Sequence, residues 1–330
     1  MFVDCKGATH DLDWFGVSRL PAARGRLSAH LFEALQGTGP IGSPPPPDSD
    51  VDAHLALWAL YELHYRDFCG VSSAWEWDPD LLAIRRGLEE RFEADLRARI
   101  VAPDPSGDPV QQLRTLIDQS AGPSVARFVQ RHADRDQVRE ILKHRSLYHL
   151  KEADPTTWTI PRLPAAAKAG MVEIQYDEYG CGDPARVHQR LFVEALTAAG
   201  LSSARGAYVD EAPVEVLALN NAMSLFGLHR RLVGAAIGHF AAFESTSALP
   251  SKQMAQGLQR LGFPEATRRY YEEHVEADAV HEEQALRQVV RPFLEDDPTQ
   301  RREVSFGALV CLALEDDYAS AVLPTRNSND

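Results

Sequence analysis

Cysteine is scarce in this chain of 330 residues, and its four examples, Cys5, Cys69, Cys181 and Cys311, are scattered singly. No Cys-x-x-Cys pair is present to build a zinc knuckle or a redox dithiol. Reduced thiols in a cytosol are expected. Any metal must then be held by His, Asp and Glu, which favours iron or manganese over structural zinc. Long hydrophobic runs are missing as well. The longest, Ala308 to Leu314, falls far short of a membrane span, and residues 1–20 show no basic region followed by an apolar block. A cytoplasmic protein without a membrane partner is expected. Basic charge is in deficit: 34 Lys and Arg against 48 Asp and Glu give a net charge of -14. That balance opposes phosphate backbones and anionic lipid, so no nucleic-acid partner is expected. Finally, Val, Ile and Thr never cluster in short alternating runs bounded by turns, so the sequence carries no strand signal.

What is there is helical. With 44% hydrophobic and 25% charged residues, the chain has the composition of a globular protein with ample core. Leu27, Leu31 and Leu35 mark a first helix at about 24–36. The stretch 39–50, GPIGSPPPPDSD, excludes helix because consecutive prolines lack donors and enforce an extended backbone. Leu55, Trp58, Leu60, Leu63 and Tyr65 crowd a second helix, and a third spans 78–100. Prolines between 101 and 109 suggest a boundary, giving an N-terminal helical region at 1–100 and a main domain at 101–330. Further helices are predicted at 110–120, 123–133, 135–152, from Pro161 and Pro164 to Tyr179, from Pro184 to about 199, and at 211–225, 227–247, 250–261, 264–289 and 298–319. The fold class expected is all-α, with an irregular arm at 1–20 and a frayed tail from Pro324 to Asp330.

Chemistry concentrates in 271–283, YEEHVEADAVHEE, where His274, Asp278 and His281 follow one another at spacings of four and three. On a helix these fall within an arc of roughly 60°, giving a face with two imidazoles and a carboxylate. The competing reading is a solvated acidic face. A metal-binding face needs partners from other helices. No His has a Glu three residues before it, so the paired Glu-x-x-His signature of ferritin-like diiron sites is absent. Two ferrous ions would need about four buried carboxylates to neutralise them. Glu152, Glu178, His188 and Glu244 lie upstream in a suitable order.

Here the sequence resembles the haem-oxygenase-like diiron oxidases, in particular their amine N-oxygenating branch. The likeness is carried by Glu152 in HLKEADP, Glu178 and His188 in YDEYGCGDPARVHQRLF, Glu244 in GHFAAFES, and HVEADAVH, over roughly residues 110–290. It implies a haem-oxygenase-like helical bundle binding two Fe in place of haem, with O2 as co-substrate and an external reductant. It further implies Glu152, Asp278 and His274 on one iron, His188 and His281 on the other, and Glu178 bridging. Glu244 would be an additional carboxylate able to move onto the metal. The function implied is N-oxygenation of an amine or amino-acid substrate in natural product biosynthesis. The alternatives are oxidative C–C cleavage or desaturation of a fatty or amino acid, or a metal-free binding protein or cofactor-independent enzyme of the same fold. In relatives the N-terminal segment helps form a homodimer, which is expected here. No cupin-like β domain follows residue 320, so this chain is expected to perform only the diiron step.

Other residues have blander readings. Asp177 points about 100° away from Glu178, so it is expected to support the site or face solvent, while Glu173, on the same helix, is left unassigned. The glutamates at 272, 273, 276, 282 and 283 read as a solvated face. His239 reads as a packed histidine, while His144 and His149 could hydrogen-bond Glu152. Arg186, Arg230 and Arg231 are candidates to grip a substrate carboxylate.

Overall fold

The computed structural model describes residues 18–120 and 122–324. The expected arm at 1–20 and frayed tail therefore lie outside the described residues except for 18–20 and Pro324. Among the described residues there is no strand, and the all-α expectation holds. No helix among them is long and apolar enough to cross a membrane.

Helix α1 (Arg26–Leu35) buries Leu27, Leu31 and Leu35, the residues that announced it. Its start is capped from outside. The Asp52 carboxylate of α2 (Asp50–Glu62) accepts from the Leu27 and Ser28 amides at 3.1 and 2.9 Å, satisfying donors the helix itself cannot. Helix α2 is apolar on all sides, from Leu55 to Tyr61 at most 2% exposed, as a helix in the middle of a core must be. It packs on α10 (Val214–Leu228). Helix α3 (Pro79–Arg99) begins at an Asp78 cap followed by proline.

The elements that carry the site follow α4 (Pro109–Asp118) and α5 (Val125–Arg131). Helix α6 (Arg135–His149) opens with the capping box Asp134/Gln137. A short α7 (Asp154–Thr157) lies between the helices predicted to end at 152 and resume at Pro161, since proline fits the first turn of a helix, whose amides have no partner within it. Helix α8 (Ala165–Glu178) ends at the GCG turn, where Gly180 and Gly182 take positive φ of 78 and 86°. Helix α9 spans His188–Ala198. The expected start at Pro184 fails: Asp183 accepts from the Ala185 amide in a turn, and the helix starts four residues after Pro184.

The predicted helices 227–247 and 250–261 are one, α11 (Val233–Arg260), with Pro250 inside it. Its packing outweighs the hydrogen bond that proline deletes. Helix α11 lies against α5, α12 (Glu265–Gln284) and α14 (Arg301–Val322). Its crossing with α14 is close because a Cβ at Gly238 would run into the Val304 carbonyl, and one at Gly307 into the Ala235 carbonyl. Helix α12 does not stop at 289. It passes through a π-helical segment, Ala285–Val290, into α13 (Arg291–Asp296), a feature that often sits beside functional sites. Cys181 and Cys311 are free thiols.

Candidate metal centre

Five elements converge on one point. Glu152 follows the end of α6, where Ala153 at φ 71° turns the chain into α7. Glu178 is the last residue of α8 and His188 the first of α9. Glu244 sits within α11, and α12 presents His274, Asp278 and His281. All seven side chains are buried.

They form two groups with one member in common. Glu152, Glu178, His188 and His274 each offer a ligand atom within 4.8 Å of the others, and so do Glu178, Glu244, Asp278 and His281. Glu178 therefore belongs to both groups. The other members divide differently. Asp278 groups with Glu244 and His281 and not with Glu152 and His274, while His188 packs against His274 with ring centroids 4.5 Å apart.

The supporting contacts fix which atoms point inward. His274 Nδ1 lies 2.7 Å from the Tyr270 carbonyl, which can only accept, so the proton is on Nδ1 and Nε2 faces Glu152 at 3.5 Å. His281 Nε2 donates to Asp177 Oδ2 at 2.9 Å, leaving Nδ1 to face Glu178 and Glu244, each at 3.4 Å. A carboxylate behind an imidazole in this way orients a metal-ligating histidine and raises its basicity. Tyr270 donates its hydroxyl to Glu152 Oε2 at 2.7 Å and meets His149 Nδ1 at 2.6 Å, while His149 lies 3.3 Å from Glu152 Oε1. His149 thus plays the part suggested for it. His144 instead packs on Tyr318. Tyr270 escaped the sequence reading because an aromatic four residues before His274 looks like core. A Tyr one turn ahead of His-x-x-x-Asp-x-x-His is the signal that could have found it.

Electrostatics describe an anionic centre. Burial, assisted by Glu244 and Glu178 against the pull of His274, pushes Asp278 up to about 8. Burial and the charge of Glu178 also raise Glu244, with His281 opposing. Burial works against charging His281, yet the carboxylates of Glu244, Glu178 and Asp278 lift it to about 9. Glu152, despite burial, is held well below the usual carboxylate range by His274 and His149. Protons here stand where cations belong.

Whether metal fits can be judged from hydrogen bonding. Glu178 Oε2, His188 Nδ1, His274 Nε2, Asp278 Oδ2 and His281 Nδ1 are buried without a hydrogen-bond partner. Glu178 Oε2 and His188 Nδ1 are 2.9 Å apart yet make no hydrogen bond. Buried polar atoms are normally paired, and five orphans from five side chains around one point are what ligands look like without their ion. Three imidazoles and four carboxylates suit iron and match the charge of two dications.

A narrow pocket of about 30 Å³ adjoins the centre, walled by Met223, Phe226, Phe240 and Phe243 and reached by Glu244 and Asp278. No Lys or Arg lines it. Arg186, Arg230 and Arg231 are all exposed, with Arg186 on Glu273 and Arg231 on Glu93. None of them lines the pocket, so the structure gives them no grip on a substrate there. Glu272, Glu276 and Glu283 are exposed as expected, and Glu173 accepts from Gln284 at the surface. His239 is buried on the pocket wall.

Residues 139–316, more than half of the chain, match the sequence model of a family described as iron-containing redox enzyme. The match runs from α6 to α14 and includes every residue of the two groups. No curated protein matches the chain. The chain belongs to this family of iron-containing redox enzymes, on a haem-oxygenase-like all-α fold.

Proposed function

Starting from an iron-containing redox enzyme, we propose that the chain is a diiron oxygenase that transfers one oxygen atom from O2 to the nitrogen of an amine. The observation that carries this reading is the shared carboxylate: Glu178 belongs to both groups, and Glu244 adds a further carboxylate to the second. Two ferrous ions would supply the binding and reduction of dioxygen. The balance is R–NH2 + O2 + 2 e⁻ + 2 H⁺ → R–NHOH + H2O, with the electrons from an external reductant. Glu152, Glu178, His188 and His274 would hold one ion, and Glu178, Glu244, Asp278 and His281 the other. Tyr270 and Asp177 hold Glu152 and His281 in orientation, and the phenylalanine wall keeps water from the reacting end of the substrate.

A second reading, oxidative C–C cleavage or desaturation on the same metals, is favoured by one observation: the pocket wall is apolar and carries no cation. Anaerobic Fe(II) titration followed by O2 and mass analysis of products tests both. Two irons per chain, oxygen consumption and an amine gaining one oxygen atom are expected. Fewer than two irons overturns the diiron assignment, and an alkene or a shortened product from a fatty or amino acid moves the assignment to the second reading.

A further inference from the structure

The proposed reaction draws two electrons from outside, and all seven ligating side chains are buried. One contact carries the centre outward. His281 Nε2 donates to Asp177, whose side chain is 37% exposed, so a single hydrogen bond joins a ligand to a residue that a partner can reach. The Cys181 thiol holds the other oxygen of Asp177 at 3.2 Å.

The surface beside that link is apolar. Six large apolar side chains are exposed among the described residues, and three of them, Val172, Tyr176 and Val280, lie on α8 and α12 at 45, 59 and 56% exposure. They are neighbours and not scattered singles. Val172 and Tyr176 are one turn apart on α8. Tyr176 precedes Asp177 and Val280 precedes His281, the pair whose side chains touch, and about one turn further along the seam Glu173 accepts from Gln284 at 3.0 Å. The Tyr176 hydroxyl donates to the Cys181 carbonyl at 2.7 Å, which fixes an exposed aromatic ring. A contiguous apolar patch with a rigid aromatic and a polar rim marks an interaction surface.

The rim is acidic. Glu173, Asp177 and Glu276 have no Lys or Arg partner among the described residues, and Glu276 lies one turn before Val280 on the exposed face of α12. Arg186 and Arg287 are taken by Glu273 and Glu283. Lys168, one turn before Val172, offsets part of the charge.

We propose that the seam of α8 and α12 around Tyr176 docks a one-electron donor protein whose redox group is ringed by Lys and Arg, and that electrons enter through Asp177 and His281. Two donor molecules in succession, each oxidised by one electron, return two ferric ions to ferrous. Charge complementarity selects a basic partner over an acidic one and steers its approach. A patch of this size suits the small interfaces of transient electron-transfer encounters. The inference rests on the diiron reading for the destination of the electrons.

The test measures calorimetric binding of cytochrome c, a basic one-electron carrier, and of an acidic ferredoxin to the full chain at low ionic strength, with and without iron. Cytochrome c is expected to bind and the ferredoxin not. Tyr176→Ala should weaken binding by roughly fivefold, and Glu276→Lys by roughly three- to tenfold. Glu90→Lys makes the same charge change on the remote α3 and should cost about twofold at most. On the iron-loaded ferric chain, stopped-flow reduction by reduced methyl viologen, a cation, should slow with Glu276→Lys and with added salt, and not with Glu90→Lys. Binding of neither protein, tighter binding of the ferredoxin, equal losses from Glu276→Lys and Glu90→Lys, or an unchanged viologen rate in Glu276→Lys overturns the proposal. So does a dimer in sedimentation that Tyr176→Ala dissociates, since a second copy would then cover the face. Iron content separates the two ideas: fewer than two irons sinks the diiron reading, while binding to the metal-free chain still judges the docking face.

Discussion

Lys151 and Glu152 are joined by one peptide bond and are 1% and 5% exposed, yet they face opposite kinds of polar interior. Lys151 donates to Glu62 Oε1 at 2.6 Å, Arg205 reaches Glu62 Oε2 at 3.4 Å, and the ammonium also lies over the Tyr65 ring at 4.6 Å. The Glu62 carboxylate meets a cation at each oxygen, and the lysine has its anion. Glu152 turns to the other side, into a cluster where carboxylates and imidazoles outnumber their mutual hydrogen bonds and five atoms remain unpaired. Both clusters pay desolvation. Only the first recovers it from its own residues, and the second needs something brought from outside. A polar cluster that closes on itself ties α2 to the end of α6. One that stays open is a binding site.

Substituting one member of each cluster should separate those roles. Glu178→Ala removes the carboxylate common to both groups and should have the largest effect. Fe(II) titration is expected to fall from two ions per chain to fewer than one, with redox activity lost and the helical circular dichroism retained. Lys151→Met leaves Glu62 with a weaker partner in a dry place. It should destabilise the chain by about 3–5 kcal/mol in denaturant unfolding, with iron stoichiometry unchanged. If Lys151→Met lost the iron while Glu178→Ala kept it, the distinction between closed and open clusters would fail.

The middle of the scale is set by a residue whose role the sequence only half shows. Spacing on a helix reaches His274, Asp278 and His281 because the 3.6-residue period dictates which side chains share a face. Glu152, Glu178, His188 and Glu244 come from other elements, and only the family likeness joined them to that face. Which of them sit together depends on where α9 lands, and no periodicity encodes that. Tyr270 and Asp177 were harder still, since a tyrosine on a helix reads as core and an Asp beside a Glu points elsewhere by default. The backbone misled in a similar way at Pro250 and at 285–290, where burial of α11 and α12 against their neighbours overrides local propensity. Asp177→Asn tests the hidden support directly. It keeps an acceptor for His281 Nε2 but removes the charge, so iron affinity should drop by roughly 10- to 100-fold while stoichiometry at saturating Fe(II) stays at two. An unchanged affinity would reduce Asp177 to an incidental surface contact.

The smallest effect is expected at the link between the two clusters. Ala153 follows Glu152 with φ 71° and ψ -31°, a conformation outside the regions that residues with a Cβ prefer. Such strain costs of order 1–3 kcal/mol and persists only where the surroundings impose it. Here the surroundings are visible: Lys151 is pinned to Glu62 on one side, and on the other Glu152 is held by Tyr270 and His149, so the chain must turn within one residue. Glycine adopts this backbone freely, although it also loosens the unfolded chain by about 0.4–1 kcal/mol. Ala153→Gly should therefore raise unfolding stability by about 1 kcal/mol. Iron affinity should fall a few-fold, because a relaxed turn holds Glu152 less firmly. A gain in stability without loss of affinity would show that Tyr270 and His149 position the carboxylate by themselves. No gain in stability would show that the turn stores nothing, and that the neighbours Lys151 and Glu152 are set in place independently.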